Sequence, residues 1–275
     1  MQTLSLGFSP CPNDTYIFDA LVHRKIAVPF SFDLWIKDVE DLNVRAKTRA
    51  LDVTKISIHA WFHLLEKYNL LPSGGAAGRG CGPLLISRDG KELTQGIIAL
   101  PGELTTANLL FQLAYPGNFT LVFMPFETIM PAIKDGKVDA GVIIHESRFT
   151  YAAQGLKKVS DLGQWWEKET SLPIPLGGIL VAKDLDKKTQ ETLGHKIKES
   201  IQFAQNNASA PLDFIKEHSQ ELETNVVTSH IDLYVNEFSL DFGSEGKEAI
   251  EVLYHSCVKA GIVKDQGSLA PHLVG

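Results

Sequence analysis

Cysteine is scarce in this sequence, and the few cysteines present do not form a pair. The 275 residues contain only Cys11, Cys81 and Cys257, which lie far apart along the chain. No CxxC motif occurs, and no histidine accompanies them at a metal-binding spacing. This pattern argues against a disulfide framework and against a structural zinc site. We therefore expect the chain to fold by burial of apolar side chains.

Long apolar runs are also missing. The strongest apolar stretches are shorter than about ten residues, whereas a helix needs roughly 20 to span a bilayer. Residues 1–8 contain neither a basic segment nor a long apolar segment, so they do not look like an export signal. The sequence therefore predicts a cytoplasmic protein that has no membrane partner.

Positive charge is in deficit. Twenty-six basic residues against thirty-three acidic residues give a formal charge of −7, which would repel nucleic-acid backbones and anionic lipid. We predict no nucleic-acid partner. A small anionic substrate remains compatible with this charge, because backbone N–H groups and one or two cations can dominate their own pocket.

The composition and the hydrophobic pattern indicate an α/β protein. Hydrophobic residues make up 44% and charged residues 21%, which is ordinary for a globular chain. Short apolar runs alternate with amphipathic stretches, a pattern that predicts βα units around mostly parallel sheets. The predicted strands are 4–8, 52–57, 96–100, 120–124, 138–144 and 178–182. A helix is predicted over about 59–68, and the C-terminal third is predicted to be mainly helical.

Polar residues follow several of these strands. In α/β sheets, ligands bind at the carboxyl ends of strands, where helix N-termini also direct free N–H groups. Asp14, Ser57, Thr106 and His145 each lie at or just beyond the end of a predicted strand. We therefore expect these four residues to converge on one crevice.

His145 is the natural candidate for acid–base chemistry, because the ordinary pKa of histidine lies near neutrality. The alternative is a histidine that makes structural hydrogen bonds at the end of its strand. Position alone does not decide between these two interpretations.

The other candidates also have two interpretations. Asp14 could contact a ligand or cap a helix, and Ser57 could contact a ligand or simply end its strand. Thr106 could cradle a carboxylate at a helix N-terminus while also capping that helix. Arg148 could pair with a carboxylate of the protein or of the ligand.

A glycine-rich segment, residues 73–83, holds five glycines in eleven residues. This composition favours turns and close backbone approach. The segment lacks the Lys-Ser/Thr ending of a P-loop and opens no clear helix, so a phosphate-binding loop is not indicated. It is either a flexible connection or a ligand-facing loop that brings Arg79 near an anion.

Several familiar catalytic motifs are absent. The sequence contains no Gly-x-Ser-x-Gly nucleophile elbow and no His-Glu-x-x-His metalloprotease motif. Covalent acyl transfer and metalloprotease chemistry are therefore unsupported. We predict proton-transfer chemistry that uses no metal and no cofactor.

Seven segments together resemble one enzyme family along nearly the whole chain. They are GFSPCPNDT (7–15), TKIS (54–57), GRGCGP (78–83), PGELTTA (101–107), IIHESRFTY (143–151), DLG (161–163) and YVNEFSLD (234–241). In these segments the sequence resembles the 1,4-dihydroxy-6-naphthoate synthases, lyases of the futalosine route to menaquinone.

The resemblance implies a two-lobed, periplasmic-binding-protein-like fold of type II, in which each lobe is a mostly parallel sheet flanked by helices. It implies a large lobe of residues 1–95 plus 178–275 and a small lobe of residues 96–177. The chain would cross between the lobes near Gly96 and Gly177, and the substrate cleft would lie between them.

The resemblance also implies a reaction and its residues. The enzyme would convert cyclic de-hypoxanthine futalosine to 1,4-dihydroxy-6-naphthoate with His145 as the general base. The implied substrate contacts are Lys55, Ile56, Ser57, Thr106 and Ala107.

Two other functions fit the same fold. A solute-binding protein would bind its ligand without turnover, and fold alone does not separate it from an enzyme. The lack of an export signal argues against this function. The second alternative is the sister chorismate dehydratase of the same pathway, but the segment His145-Glu146-Ser147-Arg148 favours the synthase.

Overall fold

The computed structural model describes residues 2–219 and 223–274, which form two β-sheets flanked by helices. The strands are β1 (Gln2–Phe8), β2 (Phe30–Ile36), β3 (Val53–Ser57), β4 (Tyr68–Leu70), β5 (Ala76–Gly78), β6 (Leu84–Ser87), β7 (Gly96–Leu100), β8 (Phe119–Phe123), β9 (Ala140–Ile143), β10 (Lys157–Asp161) and β11 (Ile174–Ala182).

The helices include short single turns as well as long amphipathic segments. They are α1 (Pro12–Val22), α2 (Val39–Ala46), α3 (Ile58–Phe62), α4 (Thr106–Ala114), α5 (Phe126–Lys134), α6 (Ser147–Thr150), α7 (Leu162–Thr170), α8 (Lys187–Asn206), α9 (Leu212–His218), α10 (Thr224–Tyr234), α11 (Glu237–Leu240) and α12 (Gly243–Lys259), with a 3-10 turn at Ala270–His272. In the described residues, no helix is both long enough and apolar enough to span a membrane.

Each sheet is mixed rather than mostly parallel. The first has the order β2-β1-β3-β11-β4, with β5 also paired to β11, and the second has the order β10-β6-β9-β7-β8. The βα units give the predicted parallel pairs, but β11 runs antiparallel to its neighbours in the first sheet, and so does β6 in the second. Both are the first strands after the chain passes from one sheet to the other. No βαβ crossover within the sheet fixes their direction.

The lobe boundaries differ from those expected from the resemblance. Strand β6 pairs with β9 and β10, so the chain enters the second sheet before Leu84 rather than after Gln95. It returns before Ile174, where β11 begins to pair with β5. Gly96 and Gly177 lie within strands β7 and β11, not at the crossings.

The predicted helix over 59–68 is also shorter than expected. Helix α3 ends at Phe62, and Tyr68 already belongs to β4, which pairs with β11. A strand pairing from more than a hundred residues away overrides the local helical pattern here.

Apolar packing joins the two lobes. One buried cluster contains Trp61 and Tyr68 from the first lobe together with Leu100 and Leu110 from the second. At about 25 cal/mol per Å² of buried apolar surface, packing of this kind is a main source of stability. The two lobes therefore meet closely around the cleft between them.

Candidate active site

A cavity lies between the two sheets, and both lobes contribute to its lining. The space between the lining residues, including the open solvent at its mouth, has a volume of about 710 Å³. The predicted residues that line it are Asp14, Lys55, Ile56, Ser57, Thr106, Ala107 and His145. The structure thus brings together residues that were predicted from strand ends and from the resemblance.

Asp14 and Lys55 form a buried ion pair in the wall of the cavity. Lys55 Nζ lies 2.5 Å from Asp14 Oδ1, and each side chain is only 6% exposed. The carboxylate also accepts hydrogen bonds from the Ser9 amide and hydroxyl and from Asn13 Nδ2. Asp14 therefore acts as a counter-ion, while Cys11 occupies the N-cap of α1. Lys55 Nζ has three N–H donors and no partner other than Asp14 among the described residues, so a donor remains for an anion.

Ser57 presents a hydroxyl group whose hydrogen is free to donate. Asn43 Oδ1 accepts from the Ser57 amide at 3.0 Å, which fixes the orientation of the Asn43 side chain. Asn43 Nδ2 consequently faces Ser57 Oγ at 3.2 Å and donates to it. Since this contact uses Ser57 Oγ as an acceptor, the hydroxyl hydrogen can bind a ligand atom in the cavity.

Helix α4 directs its N-terminus at the cavity. Its N-cap is Thr105, whose Oγ accepts from the Asn108 amide, so Thr106 does not cap the helix. Thr106 Oγ instead donates to the Leu176 carbonyl at 2.7 Å and accepts from the His59 amide at 3.3 Å. The first N–H groups of a helix have no intrahelical partners and favour anions, so the amides of Thr106 and Ala107 suit a carboxylate.

We expect Thr106→Val to weaken substrate binding more than it weakens folding. The Thr106 hydroxyl joins α4 of one lobe to β11 of the other beside the cavity, so its loss weakens the contact that holds the two walls of the cavity together. A net loss of about 0.5–1.5 kcal/mol, or several-fold in affinity, is reasonable for this contact. Substrate affinity and melting temperature should be measured together, with Thr105→Val as the variant that mainly loses a helix cap. If only the melting temperature of Thr106→Val falls, the residue is structural.

His59, which the sequence analysis did not single out, forms a second contact between the lobes. Its Nδ1 donates to the Thr105 carbonyl at 3.2 Å, and the residue is buried. Burial and the nearby His63 lower the pKa of His59 to about 4 from an ordinary value of 6.5.

Acid should therefore destabilise the protein through His59. In the unfolded chain His59 binds a proton below its ordinary pKa of 6.5, whereas in the folded chain it does so only near its pKa of about 4. Above pH 6.5 the titration of His59 does not reduce the free energy of unfolding. As the pH falls to about 4, it lowers this free energy by up to about 3 kcal/mol.

His59→Asn is the informative variant, because asparagine retains an N–H near the position of Nδ1 but does not titrate. The free energy of unfolding should depend less on pH in His59→Asn than in the wild type between pH 6.5 and 4. His255→Asn, at an exposed position of α12, serves as the control. Equal acid dependence of His59→Asn and the wild type would contradict this role.

His145 follows β9 in a conformation that is rare for a residue with a side chain. Its φ is +56°, in the left-handed region. Nδ1 lies 3.2 Å from Cys11 Sγ, and the ring packs edge-to-face against Phe126. Nε2 is buried and has no hydrogen-bond partner among the described residues. A strained backbone and an unpartnered ring nitrogen are features of a functional histidine rather than a structural one.

Cys11 orients this ring from the opposite lobe. Burial, with the charges of Glu146 and Asp14, raises the pKa of the Cys11 thiol well above its ordinary value, so the thiol is neutral. When Nδ1 carries the ring proton and donates it to the sulfur, the lone pair of Nε2 is left free. This is the tautomer that a base requires.

His230 and Tyr234 line the cavity from helix α10, far from the predicted strand ends. His230 Nε2 lies 2.9 Å from Asn13 Oδ1. Burial, and then the charges of His145 and Lys55, lower the pKa of His230 well below its ordinary value. Asn13 and Tyr234 occur in the segments that carry the family resemblance, but no sequence signal indicated His230.

Arg148, which had two possible partners, is not among the residues that line the cavity. It forms an ion pair with Asp161 at 3.0 Å and donates to the carbonyls of Gly80 and Gly82. Its partner is thus a carboxylate of the protein, and the arginine holds the glycine-rich segment in position.

The glycine-rich segment is packed between the lobes. A Cβ on Gly82 would lie 2.3 Å from the Gly163 Cα, so this backbone contact requires glycine. Ala76, Cys81 and Pro83 line the cavity, whereas the half-exposed Arg79 forms an ion pair with Glu245.

The known proteins that are similar to this chain agree in what they are named for. The family model described as "Menaquinone biosynthesis" matches residues 4–259. A curated protein of Streptomyces coelicolor named 1,4-dihydroxy-6-naphtoate synthase is 42% identical over 272 residues, which cover 97% of this chain and 96% of that protein. A protein of the same name from Thermus thermophilus is 43% identical over 263 residues, covering 95% and 96%.

Solved structures agree on the fold. A protein from Archaeoglobus fulgidus has a TM-score of 0.90 and 34% identity, covering 95% of this chain and 98% of that one. The periplasmic aliphatic sulphonate binding protein SsuA of Escherichia coli has a TM-score of 0.68 and 10% identity, covering 99% and 92%. The second similarity concerns the fold alone, and it confirms the expected two-lobed, periplasmic-binding-protein-like architecture.

Proposed function

This chain belongs to the menaquinone biosynthesis family, and on that premise we propose that it converts cyclic de-hypoxanthine futalosine to 1,4-dihydroxy-6-naphthoate in the cleft between its lobes. It is a lyase of menaquinone biosynthesis, and His145 is its general base. Its substrate is a small molecule. As a biosynthetic enzyme, it works in the cytoplasm.

The proposal that His145 is the general base rests on one observation. His145 Nε2 is buried without a hydrogen-bond partner among the described residues, while Nδ1 contacts Cys11. The residue lines the cavity to which Lys55, Ser57 and the N-terminus of α4 also contribute. A base needs this combination of an oriented ring and an unused nitrogen that can reach the substrate.

In this proposal, some residues of the cleft bind the substrate and another transfers the proton. The Lys55 ammonium group, the Ser57 hydroxyl and the first amides of α4 bind the carboxylate of the substrate. Nε2 of His145 takes a proton from the substrate, and the electron pair left behind enters the new aromatic ring as the bond to the sugar-derived carbons breaks. The protonated ring of His145 can then return the proton to the departing fragment. Aromatisation supplies much of the driving force, so the protein mainly has to orient the substrate and exclude water.

The decisive experiment is an assay of the purified protein. Incubation with cyclic de-hypoxanthine futalosine should yield 1,4-dihydroxy-6-naphthoate, detected by mass spectrometry. Chorismate should be tested in parallel as the substrate of the sister dehydratase. Binding without any product would indicate a solute-binding protein, and turnover of chorismate alone would indicate the dehydratase.

A further inference from the structure

Two buried hydrogen-bond acceptors face each other beside His145. Glu146 Oε2 and His230 Nδ1 lie 3.9 Å apart, and neither has a hydrogen-bond partner within residues 2–219 and 223–274. The Glu146 residue is 8% exposed and His230 is 1% exposed. Buried polar atoms are nearly always partnered, so two neighbouring exceptions call for a donor that the described residues do not supply.

The hydrogen-bond network fixes His230 Nδ1 as an acceptor. Asn13 Nδ2 donates to Asp14 Oδ1 at 2.9 Å, so Asn13 Oδ1 must face His230. An amide oxygen only accepts, and His230 Nε2 therefore carries the ring proton. Because burial keeps the ring neutral, the remaining nitrogen, Nδ1, has a lone pair and no proton.

Glu146 does not supply the missing donor. An ionised carboxylate only accepts hydrogen bonds, and even a protonated one would need a shorter distance than 3.9 Å to donate to Nδ1. The gap between the two acceptors therefore calls for donors from outside the protein. A single hydroxyl has one hydrogen and satisfies only one acceptor, whereas a bridging water molecule or two adjacent hydroxyls can satisfy both.

We infer that Glu146 and His230 form a subsite for a vicinal diol, and that this subsite binds the sugar-derived part of the substrate. The inference rests on the proposed function and adds the group that the subsite recognises. The His145 and His230 rings are nearly parallel, with centroids 6.3 Å apart, so a diol at the subsite lies next to the base. The sugar-derived carbons are thus held beside the residue whose action releases them.

If this subsite binds a diol, Glu146 and His230 should contribute to the affinity for the substrate but not to the affinity for the product. 1,4-Dihydroxy-6-naphthoate has lost the sugar-derived carbons and does not need the subsite. Glu146→Gln keeps the shape of the side chain but replaces one carboxylate oxygen with an NH₂ group, which cannot accept a hydrogen bond from a diol. His230→Gln retains a donor near Nε2 for Asn13 but removes the Nδ1 acceptor.

Binding should be measured by calorimetry in a His145→Asn background, which prevents turnover. Glu146→Gln and His230→Gln should each weaken substrate binding by about tenfold or more, as expected for the loss of a buried hydrogen bond to a charged or orphaned group. Affinity for the naphthoate product should stay within about twofold of the parent. Glu251→Gln and His255→Gln change exposed residues of α12 and serve as matched controls.

A second measurement covers the case in which His230→Gln does not fold. In protein labelled with ¹⁵N-histidine, the Nδ1 signal of His230 should show an unprotonated nitrogen in the free protein. It should shift towards the hydrogen-bonded range when substrate binds, but not when product binds. An unchanged signal in the presence of saturating substrate would overturn the inference.

The remaining outcomes are also distinct. Equal losses of substrate and product affinity would mean that the two residues are structural. Cys11, His145 and Glu146 offer ligand atoms within 4.8 Å of one another, so a stoichiometric metal that Glu146→Gln loses would replace the diol with a cation. Suppose that the wild type turns over the cyclic substrate while both variants keep the full substrate affinity. This result would refute the diol subsite but not the proposed function. Absence of turnover would refute the proposed function and this inference together.

Discussion

Replacing His145 with asparagine should lower kcat by about 10²–10⁴-fold while the protein keeps its fold and its affinity for substrate. Asparagine tolerates the left-handed backbone of this position, where φ is +56°. It can also place an N–H near the Nδ1 that contacts Cys11. The variant thus removes the basic nitrogen and disturbs little else.

The measurement pairs kcat for the cyclic substrate with the thermal stability of the same preparation. His255→Asn, on the exposed face of α12, should behave as the wild type in both. A well-folded His145→Asn enzyme that retains more than about a tenth of the wild-type kcat would rule out the general-base role. A variant that is inactive because it is unfolded would show itself in the melting curve.

Asp14→Asn should reduce the free energy of unfolding by about 3–5 kcal/mol, because it leaves the buried Lys55 ammonium group without its counter-ion. Lys55→Met should cost less, since Ser9 and Asn13 still donate to the Asp14 carboxylate. The double variant, which removes both charges, should recover part of the loss.

Denaturant titration of the four proteins measures this effect as a double-mutant cycle. The carboxylate of the substrate would supply a new counter-ion for Lys55, so saturating substrate should stabilise Asp14→Asn more than it stabilises the wild type. A loss below about 1 kcal/mol for Asp14→Asn would show that the pair is effectively solvated.

Much of the site could be predicted because it lies at strand ends. Lys55, Ser57 and His145 each occupy the end of a strand whose apolar run is clear in the sequence, and parallel strands within one lobe deliver their ends to one edge. Thr106 follows β7 in the same way, although its hydroxyl joins the lobes instead of capping α4. The local sequence pattern and the geometry of β-sheets are sufficient to predict the positions of these residues.

The remaining features depend on contacts between distant segments. Strand β6 has only four residues, follows a glycine-rich segment, and becomes a strand by pairing with β9 and β10 much later in the chain. His230 reaches the cavity because α10 packs against α1 and β5, which no local pattern reveals. Arg148 had two possible partners, and only the folded chain brings Asp161 to it.

The left-handed backbone at position 145 restricts which residues can replace His145. Most side chains would raise the cost of this conformation, whereas glycine, asparagine and aspartate adopt it more readily. The inactive residues that fit best are therefore also the ones that leave the cleft and its anion-binding groups intact. On the proposed general-base role, a single substitution at this position would leave a protein that binds the substrate without converting it. On the same proposal, a catalytic and a non-catalytic form of this protein would differ by one residue.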